Sequence, residues 1–412
     1  MNRVPATRPH IPPPRVDPAA LPPAIRTSEP GSFARNTLAV RVPAILRETQ
    51  AAAAYPPEIQ AALDELHAEL TGGVICGLHE TAPDAAFWND TAAAYLGRSW
   101  LDVPWYWAEA YFYRRLLEAV RYFQPGPWQG VDPYARTKRR EWAAEAAPAA
   151  VGALLEALPD DVEARFETLL HASLWGNRTD LSYMVAAHLG ATGGPDAERA
   201  NLLVDDAEQV WQHMLRHSEG RVDLLADNAG TELLMDVALA DYLLVSGLAA
   251  EVHFHLKPWP FFVSDAVPAD LVDGLDALLA AGGAGAKLAR RMDGHLTAGA
   301  LTVATHWFNA SSLFYYELPD DLHAALAAAD LVIVKGDANY RRLLGDAHWP
   351  YTTPFAAAVS YFPAPVVSLR TLKSEVAVGL AAGQAERLAG EDPAWLVNGR
   401  RGLIQFAENS GA

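Results

Sequence analysis

Three segments of this chain share one order of features: a short apolar run, a polar tip, and then a helical pattern. They lie at 222–232, 331–341 and 366–373. Short apolar runs that alternate with helical patterns predict a mostly parallel sheet covered by helices on both faces. Ligands of such sheets bind beyond the carboxyl ends of the strands. We therefore expect the three polar tips to meet at one edge of the sheet.

The second half of the chain is predicted to contain five strands and five helices. The apolar, β-branched runs place strands at 222–226, 251–255, 301–305, 331–334 and 366–369. The helical patterns place helices at 232–246, 271–281, 320–329, 340–344 and 374–380.

The first part of the chain has a different character. Proline is frequent up to residue 30, and no apolar segment typical of a signal peptide occurs there, so residues 1–30 are predicted to be a disordered tail. Residues 31–165 carry helical patterns without a convincing strand. A chain of 412 residues is long enough for two domains. We therefore predict a helical domain at 31–165 and an α/β domain at 166–412.

Composition excludes several classes of function. The net charge of −18 argues against a nucleic-acid partner, which requires a basic surface. No apolar run of about 18 residues is present, so we expect no membrane span. Cys76 is the single cysteine, which favours a reducing compartment and hence a cytoplasmic location. The oligomeric state stays open, and a monomer is plausible.

The first polar tip contains candidate metal ligands. The carboxylate of Asp227 and the amide oxygen of Asn228 suit Mg²⁺ or Mn²⁺, whereas both residue types are also favoured helix N-caps. The helix that follows Gly230 offers backbone N–H groups to a phosphate. Asp265 comes after the 251–255 strand and is a candidate third oxygen ligand, or else an ordinary turn acid.

The second and third tips contain candidate anion ligands. Lys335 ends a strand, Gly336 lets the backbone approach an anion, and Asn339 suits a helix cap. The 370–373 tip offers a guanidinium that forks onto phosphate oxygens, an ammonium group and a hydroxyl. The alternative is two ordinary turns with surface charges. A phosphate loop is excluded because no Gly-Lys-Ser/Thr triplet occurs in the chain.

Other polar residues are weaker candidates. Asn177, in the polar segment 173–182, is predicted to close the site from the domain junction, with a capped helix start as the alternative. Glu109 lies in an aromatic stripe at 105–113 and is included as a candidate. His253 and His255 share one strand face, but with no third ligand nearby they are interpreted as core or surface histidines rather than a zinc site.

These motifs together resemble a known family. The segments 174–182, 227–233, 335–341 and 370–373, with 104–115 and 122–128 from the helical half, are similar to the damage-control phosphatases of the subfamily marked by an Arg-Thr-x-Lys motif. This subfamily includes proteins also named acidic residue methyltransferases. The resemblance covers roughly residues 31–405.

The resemblance implies a Rossmann-like α/β/α domain, with a mostly parallel sheet, that follows an all-helical N-terminal domain. It implies a divalent metal, Mn²⁺, Co²⁺, Ni²⁺ or Mg²⁺, held by Asp227, Asn228 and Asp265. It also implies that Lys373 and the segment Asp337, Ala338, Asn339, Tyr340 and Arg341 contact a phosphorylated substrate, such as the sugar phosphate fructose 1-phosphate. Ala229 and Ala338 depart from the usual residues and leave the substrate preference open.

The hypothesis from sequence is a metal-dependent phosphomonoester hydrolase with a role in metabolite damage control. Asp227, Asp265, Asp337 and Lys373 are its candidate catalytic residues, and Arg370 and Lys335 are possible helpers at the phosphate. The nucleophile is either water or an aspartate. The alternatives are an S-adenosylmethionine-dependent protein-glutamate carboxyl methyltransferase and a non-catalytic sugar-phosphate-binding protein.

Overall fold

A single seven-stranded sheet forms the centre of the structure, a computed structural model that describes residues 8–143, 146–176 and 201–409. The strands are β1 (Leu202–Asp205), β2 (Gly220–Leu225), β3 (Ala249–Leu256), β4 (Leu301–Thr305), β5 (Leu331–Lys335), β6 (Val366–Thr371) and β7 (Gly402–Ala407). Their order across the sheet is β1-β7-β6-β5-β2-β3-β4.

Five neighbouring strands, β2 to β6, run parallel, whereas β7 is antiparallel to β6 and β1 follows the direction of β7. The chain builds β2, β3 and β4 toward one side and then crosses back to place β5 and β6 on the other side of β2. The strand order thus reverses between β2 and β5, and such a switch point opens a crevice at the carboxyl ends of the strands. The predicted mostly parallel α/β sheet is confirmed, and all five predicted strands are present.

Helices cover both faces of this sheet. They are α1 (Phe33–Asn36), α2 (Val42–Ala52), α3 (Pro57–Gly72), α4 (Ala85–Ala92), α5 (Trp105–Ala119), α6 (Ala135–Ala143), α7 (Ala146–Ala157), α8 (Val162–Trp175), α9 (Ala207–Arg216), α10 (Thr231–Val245), α11 (Pro268–Ala281), α12 (Gly283–Ala298), α13 (Asp320–Ala327), α14 (Gly336–Leu343), α15 (Phe355–Ala358) and α16 (Gln384–Glu391). A π-helical turn, Thr37–Arg41, joins α1 to α2.

Alternation along the strands divides the core between the two faces. Val332 and Val334 of β5 pack with the N-terminal helices, and Leu331 and Ile333 pack with α7 to α12. Successive side chains of a strand point to opposite faces, so a continuous apolar run serves both layers at once. This explains why β5 was recognisable as an uninterrupted apolar segment.

Two predicted segments have a different structure from the one expected. The segment 374–380 is not helical, because the carbonyl groups of Ser374 and Val376 accept hydrogen bonds from the Arg370 guanidinium and hold the backbone as a loop. The end of the predicted disordered tail is packed, since Ile25 and Thr27 are fully buried and the Ile25 N–H donates to the Asp346 carbonyl at 2.8 Å.

The boundary proposed at residue 165 falls inside α8, whose residues share one hydrophobic cluster with α10. The division into two domains therefore stays a prediction. None of the helices in the described ranges is long and apolar enough to span a bilayer.

Candidate active site and metal centre

A polar cavity of about 300 Å³ lies at the carboxyl ends of β2, β3, β5 and β6, under the N-terminal helices. Residues from all three polar tips line it, so the predicted meeting of the tips is observed. The lining side chains from the predicted set are Asp227, Asn228, Asp265, Asp337, Ala338, Arg341, Lys373 and Glu109.

Backbone hydrogen bonds join the loops that follow β2 and β3. The Ala229 N–H donates to the Ser264 carbonyl at 2.7 Å, and the Ala266 N–H donates to the Asp227 carbonyl at 2.9 Å. An isolated antiparallel β-bridge between Asn228 and Asp265 also joins the two loops. This short antiparallel contact places Asp227 and Asp265, which are 38 positions apart in sequence, beside the same cavity.

Asp227 is buried beside other acids. Burial raises its pKa well above the ordinary range, the carboxylates of Glu232 and Asp265 raise the pKa further, and Lys257 and Lys373 oppose them. Its Oδ1 atom is buried and accepts no hydrogen bond from any described residue. Acids crowded in this way bind either a proton or a cation. The oxygen donors and the unpaired Oδ1 therefore fit a hard divalent ion.

Asn228 connects the acids through its amide. Its Nδ2 group donates to Asp227 Oδ2 at 2.8 Å and to Glu232 Oε2 at 2.9 Å, while its Oδ1 accepts from the Ser264 hydroxyl. In this orientation the amide is a donor to the acids rather than an oxygen ligand. Half a turn about the Cβ–Cγ bond would exchange the two ends, so its role as a metal ligand stays a prediction.

Lys257 is a buried cation that the sequence analysis did not identify. Its Nζ atom lies 3.7 Å from Asp265 Oδ2. Burial lowers the pKa of Lys257 and raises the pKa of Asp265, so burial outweighs the attraction within this pair. Asp265 is further fixed by the Phe262 N–H, which donates to Oδ2 at 3.1 Å.

Gly336 allows the second tip to approach the acid cluster. Its φ of +82° lies in the left-handed region, and a Cβ at this position would lie 2.6 Å from the Cβ of Asp227 and closer still to its carboxylate. Only glycine combines this backbone angle with this contact. The first turn of α14 thereby lines the cavity, and its N–H groups have no acceptor within the helix.

Asp337 organises the third tip. Its Oδ1 atom accepts from Arg370 Nε at 2.7 Å, from the Lys373 N–H at 3.0 Å and from the Ser374 hydroxyl at 3.0 Å. Burial would raise the pKa of Asp337, but Arg370 and Arg341 together with the N–H donor lower it below its usual value. An acid held in its ionised form is a poor proton donor, so this geometry favours a positioning role for Asp337 over that of a general acid.

Comparison with known proteins identifies the family of this chain. The model of the damage-control phosphatase ARMT1-like domain matches residues 37–388. This chain belongs to that family. It is 34% identical over 384 residues to damage-control phosphatase ARMT1 of Danio rerio, with 84% of each chain covered. It is 30% identical over 438 residues to the Homo sapiens protein of that name, with 94% of this chain and 99% of the relative covered. Family membership identifies a phosphatase of metabolite damage control.

A solved structure with a similar fold is that of a DUF89 family protein from Pyrococcus horikoshii. Its TM-score is 0.48 at 15% identity, and the match covers 90% of this chain and 98% of that chain.

Four residues that were predicted to bind the substrate lie behind the cavity or at its rim. Arg370, Asn339 and Tyr340 are buried outside the lining. Arg341 lines the cavity, but its guanidinium donates to Glu109 at 2.6 Å and to Asp346 at 2.7 Å and stacks 3.6 Å from the centre of the Trp105 ring. Arg341 therefore ties α14 to α5.

Lys335 also lies beneath the cavity rather than in it. Its ammonium group is fully buried, 2.8 Å from Asp236 and 3.3 Å from Glu232, and it donates to the Ser173 carbonyl. Among the described residues lining the cavity, Lys373 and Arg41 are cations with no recorded ion pair. Asn177 lies outside the described residues.

Several lining residues were not assigned a role from sequence. Glu232 belongs to the first tip, and its position after Asp227 in the same tip was the available signal. Arg41, Phe33, Trp105 and Tyr113 come from the helical half. Their approach to the cavity depends on how that half packs on the sheet, for which the local sequence gives no signal.

Proposed function

We propose that this chain is a metal-dependent phosphomonoesterase that hydrolyses small phosphorylated metabolites, with sugar phosphates resembling fructose 1-phosphate as the expected substrates. The observation that carries the proposal is the cluster of Asp227, Glu232 and Asp265 beside unpaired Lys373 in one cavity. A cluster of acids favours a cation, and a nearby ammonium group favours an anion. A phosphate bound through a metal satisfies both conditions.

The residues would divide the work as follows. Asp227 and Asp265, with Asn228 as a third ligand, would hold Mn²⁺, Co²⁺, Ni²⁺ or Mg²⁺. Such an ion supplies positive charge to the phosphoryl oxygens and activates the nucleophile. Lys373 and the N–H groups at the start of α14 would bind the remaining oxygens. Overall, water adds to phosphorus, the ester P–O bond breaks, and the alcohol leaves with a proton.

Substrate selection is proposed to come from the helical side of the cavity. Trp105, Tyr113 and Phe262 line it with aromatic surface, and Arg41 adds a cation. A cavity of about 300 Å³ is at the lower end of the range for small-molecule sites, which favours a compact substrate. A cytoplasmic location is proposed on the basis of composition alone.

The proposal is tested by phosphate release from chelator-stripped protein. We expect turnover of para-nitrophenyl phosphate and of a sugar-phosphate panel only after Mg²⁺, Mn²⁺, Co²⁺ or Ni²⁺ is added. Asp227→Asn should lose turnover by about 10³-fold or more, because a buried ligand and the charge that it supplies are removed. Asp293→Asn, at an exposed position of α12, is the control and should be unchanged.

Two results would contradict the proposal. The first is wild-type, metal-dependent turnover by Asp227→Asn. The second is folded wild-type protein that releases no phosphate from any ester with any of the four metals. Methyl transfer from S-adenosylmethionine to protein glutamates, in the absence of phosphate release, would support the methyltransferase alternative.

A further inference from the structure

A second cluster of ligand-type side chains lies at the sheet edge opposite the cavity. His213 and His217 are one helical turn apart at the end of α9, and Glu408 directly follows β7. Because β7 runs against the parallel strands, its carboxyl end lies at their amino-terminal edge. Asp330, which precedes β5, lies at the same edge. This cluster is thus separated from the acids of the cavity by the length of the strands.

His213 has a buried ring nitrogen without a hydrogen-bond partner. The side chain is 1% exposed, and its Nε2 atom lies 2.8 Å from the Asp330 carbonyl oxygen. A carbonyl accepts hydrogen bonds only, so Nε2 carries a proton, and in the neutral ring Nδ1 then has a free lone pair. No described residue donates a hydrogen bond to this Nδ1 atom, which faces Glu408 Oε1 at 3.6 Å. An imidazole whose second nitrogen donates to a carbonyl is the usual arrangement of a metal-bound histidine.

The three side chains converge at metal-binding distances. Their ligand atoms lie within 4.8 Å of one another, and the His213 and His217 ring centres are 4.5 Å apart. Two ligands about 2.0–2.1 Å from one tetrahedral ion are separated by about 3.4 Å, close to the distance between His213 Nδ1 and Glu408. We propose that His213, His217 and Glu408 form a second metal site, which takes a borderline divalent ion of the Zn²⁺ class.

Ordinary ion pairs account for only part of this geometry. Arg216 lies 2.8 Å from Glu408, and His217 lies 3.8 Å from Asp330. Both contacts involve exposed side chains and contribute little to the stability of the fold. Neither contact gives the buried Nδ1 atom of His213 a partner, whereas a metal ion would satisfy this atom and both exposed ligands.

A metal at this position would join the end of α9 to the end of β7. Strand β7 pairs along its full length with β6, which carries Arg370 and Thr371 of the third tip. We therefore expect the site to stabilise the fold. Because it lies at the far end of the strands, it should take no part in the reaction at the cavity.

The test is Zn²⁺ titration of the full, chelator-stripped chain by calorimetry, with Co²⁺ absorption as a second readout. The Asp227→Asn background removes the cavity site, so the outcome does not depend on phosphatase activity. In this background we expect one bound Zn²⁺ and a Zn²⁺-dependent rise in Tm. Adding His217→Ala or Glu408→Gln, both at exposed positions, should weaken binding by about 100-fold or more and abolish the rise in Tm.

The matched control is His348→Ala, because His348 is an equally exposed histidine that pairs with one carboxylate, Glu29. It should leave Zn²⁺ binding unchanged. The proposal is overturned if His217→Ala and Glu408→Gln bind Zn²⁺ as tightly as their Asp227→Asn parent. It is equally overturned if that parent binds no Zn²⁺ while it remains folded.

Discussion

Replacing Gly336 by alanine tests how the active site depends on backbone contact between the start of α14 and the acid cluster. The residue has a φ of +82°, and an added Cβ would lie 2.6 Å from the Cβ of Asp227. Carbon atoms pack at about 3.5–4.0 Å, so the two segments must separate by about 1 Å. This displacement falls on the side chain that is proposed to hold the metal.

Two contributions to the effect can be separated by magnitude. The left-handed backbone angle alone costs an alanine about 1–3 kcal/mol of stability. Displacement of a catalytic group by about 1 Å can lower turnover by about 10²-fold. We therefore expect Gly336→Ala to lose stability and, in addition, about 10²-fold in kcat/KM.

Gly247→Ala is the matched control, since Gly247 has a φ of +74° and no atom within 4 Å of an added Cβ. In urea unfolding Gly336→Ala should lose more stability than Gly247→Ala, because only its added Cβ overlaps Asp227. Only Gly336→Ala should lose turnover and metal affinity, the latter measured by calorimetry. If Gly336→Ala retains wild-type kcat/KM and metal affinity, Asp227 is not held by this contact and the reasoning is wrong.

Three further changes test other parts of the structure. Lys335→Met leaves the buried carboxylates of Glu232 and Asp236 without their cation, and should lower the free energy of unfolding in urea by about 3–5 kcal/mol. Lys287→Met, at an exposed position, is the control and should lower it by less than about 0.5 kcal/mol. Arg41→Gln should raise KM for sugar phosphates about 10-fold with little change in kcat. The remote Arg98→Gln is the control and should change neither constant. A lower kcat with an unchanged KM would argue against a binding role for Arg41. Burial raises the pKa of the Glu317 carboxyl from 4.5 to about 7. The folded state therefore binds the carboxyl proton more tightly than the unfolded state does. The free energy of unfolding should fall by about 3 kcal/mol as the pH rises from about 4.5 to 7. Glu317→Gln should flatten that part of the pH profile, and an unchanged profile would contradict the assignment.

The parallel strands were predictable because burial on both faces requires uninterrupted apolar residues. Strands β1 and β7 were missed for different reasons. β1 has only four residues and lies at the edge of the sheet. β7 is interrupted by Gln405, whose side chain accepts from the Tyr340 hydroxyl at 2.8 Å and donates to the Val378 carbonyl. Those partners are distant in sequence, so no local pattern indicates that the Gln405 amide is buried.

The acids of the site were predictable for a topological reason. Residues that directly follow parallel strands must meet at one edge, whatever the details of packing. Asp227 and Lys373 each lie two residues beyond the end of a strand and line the cavity. Asp265 lies nine residues beyond β3 and lines the cavity beside Asn228, to which it is bridged. Lys257 directly follows β3 and so meets the same condition, although no role was predicted for it. Arg41 comes from the helical half, and its contribution depends on tertiary packing.

Lys335 and Arg370, two cations that were predicted to act at the phosphate, show the limit of this rule about strand ends. Lys335 is the last residue of β5, and alternation directs its side chain to the face that carries Ser173, Glu232 and Asp236 rather than beyond the strand end. Arg370 is likewise within β6, whereas Lys373 lies two residues beyond its end.

This difference separates two kinds of positive charge. Lys335 and Arg370, within the strands, are buried and pair with acids that line or underlie the cavity, whereas Lys373, beyond the end of β6, lines the cavity. The buried ion pairs cost desolvation energy and are poor sources of net stability. They do, however, hold Glu232 and Asp337 in place, and Arg370 lowers the pKa of Asp337. Through those two acids, Lys335 fixes the environment of Asp227, and Arg370 fixes the backbone of Lys373. Substitution of either buried cation should therefore impair turnover without removing any group that touches the substrate.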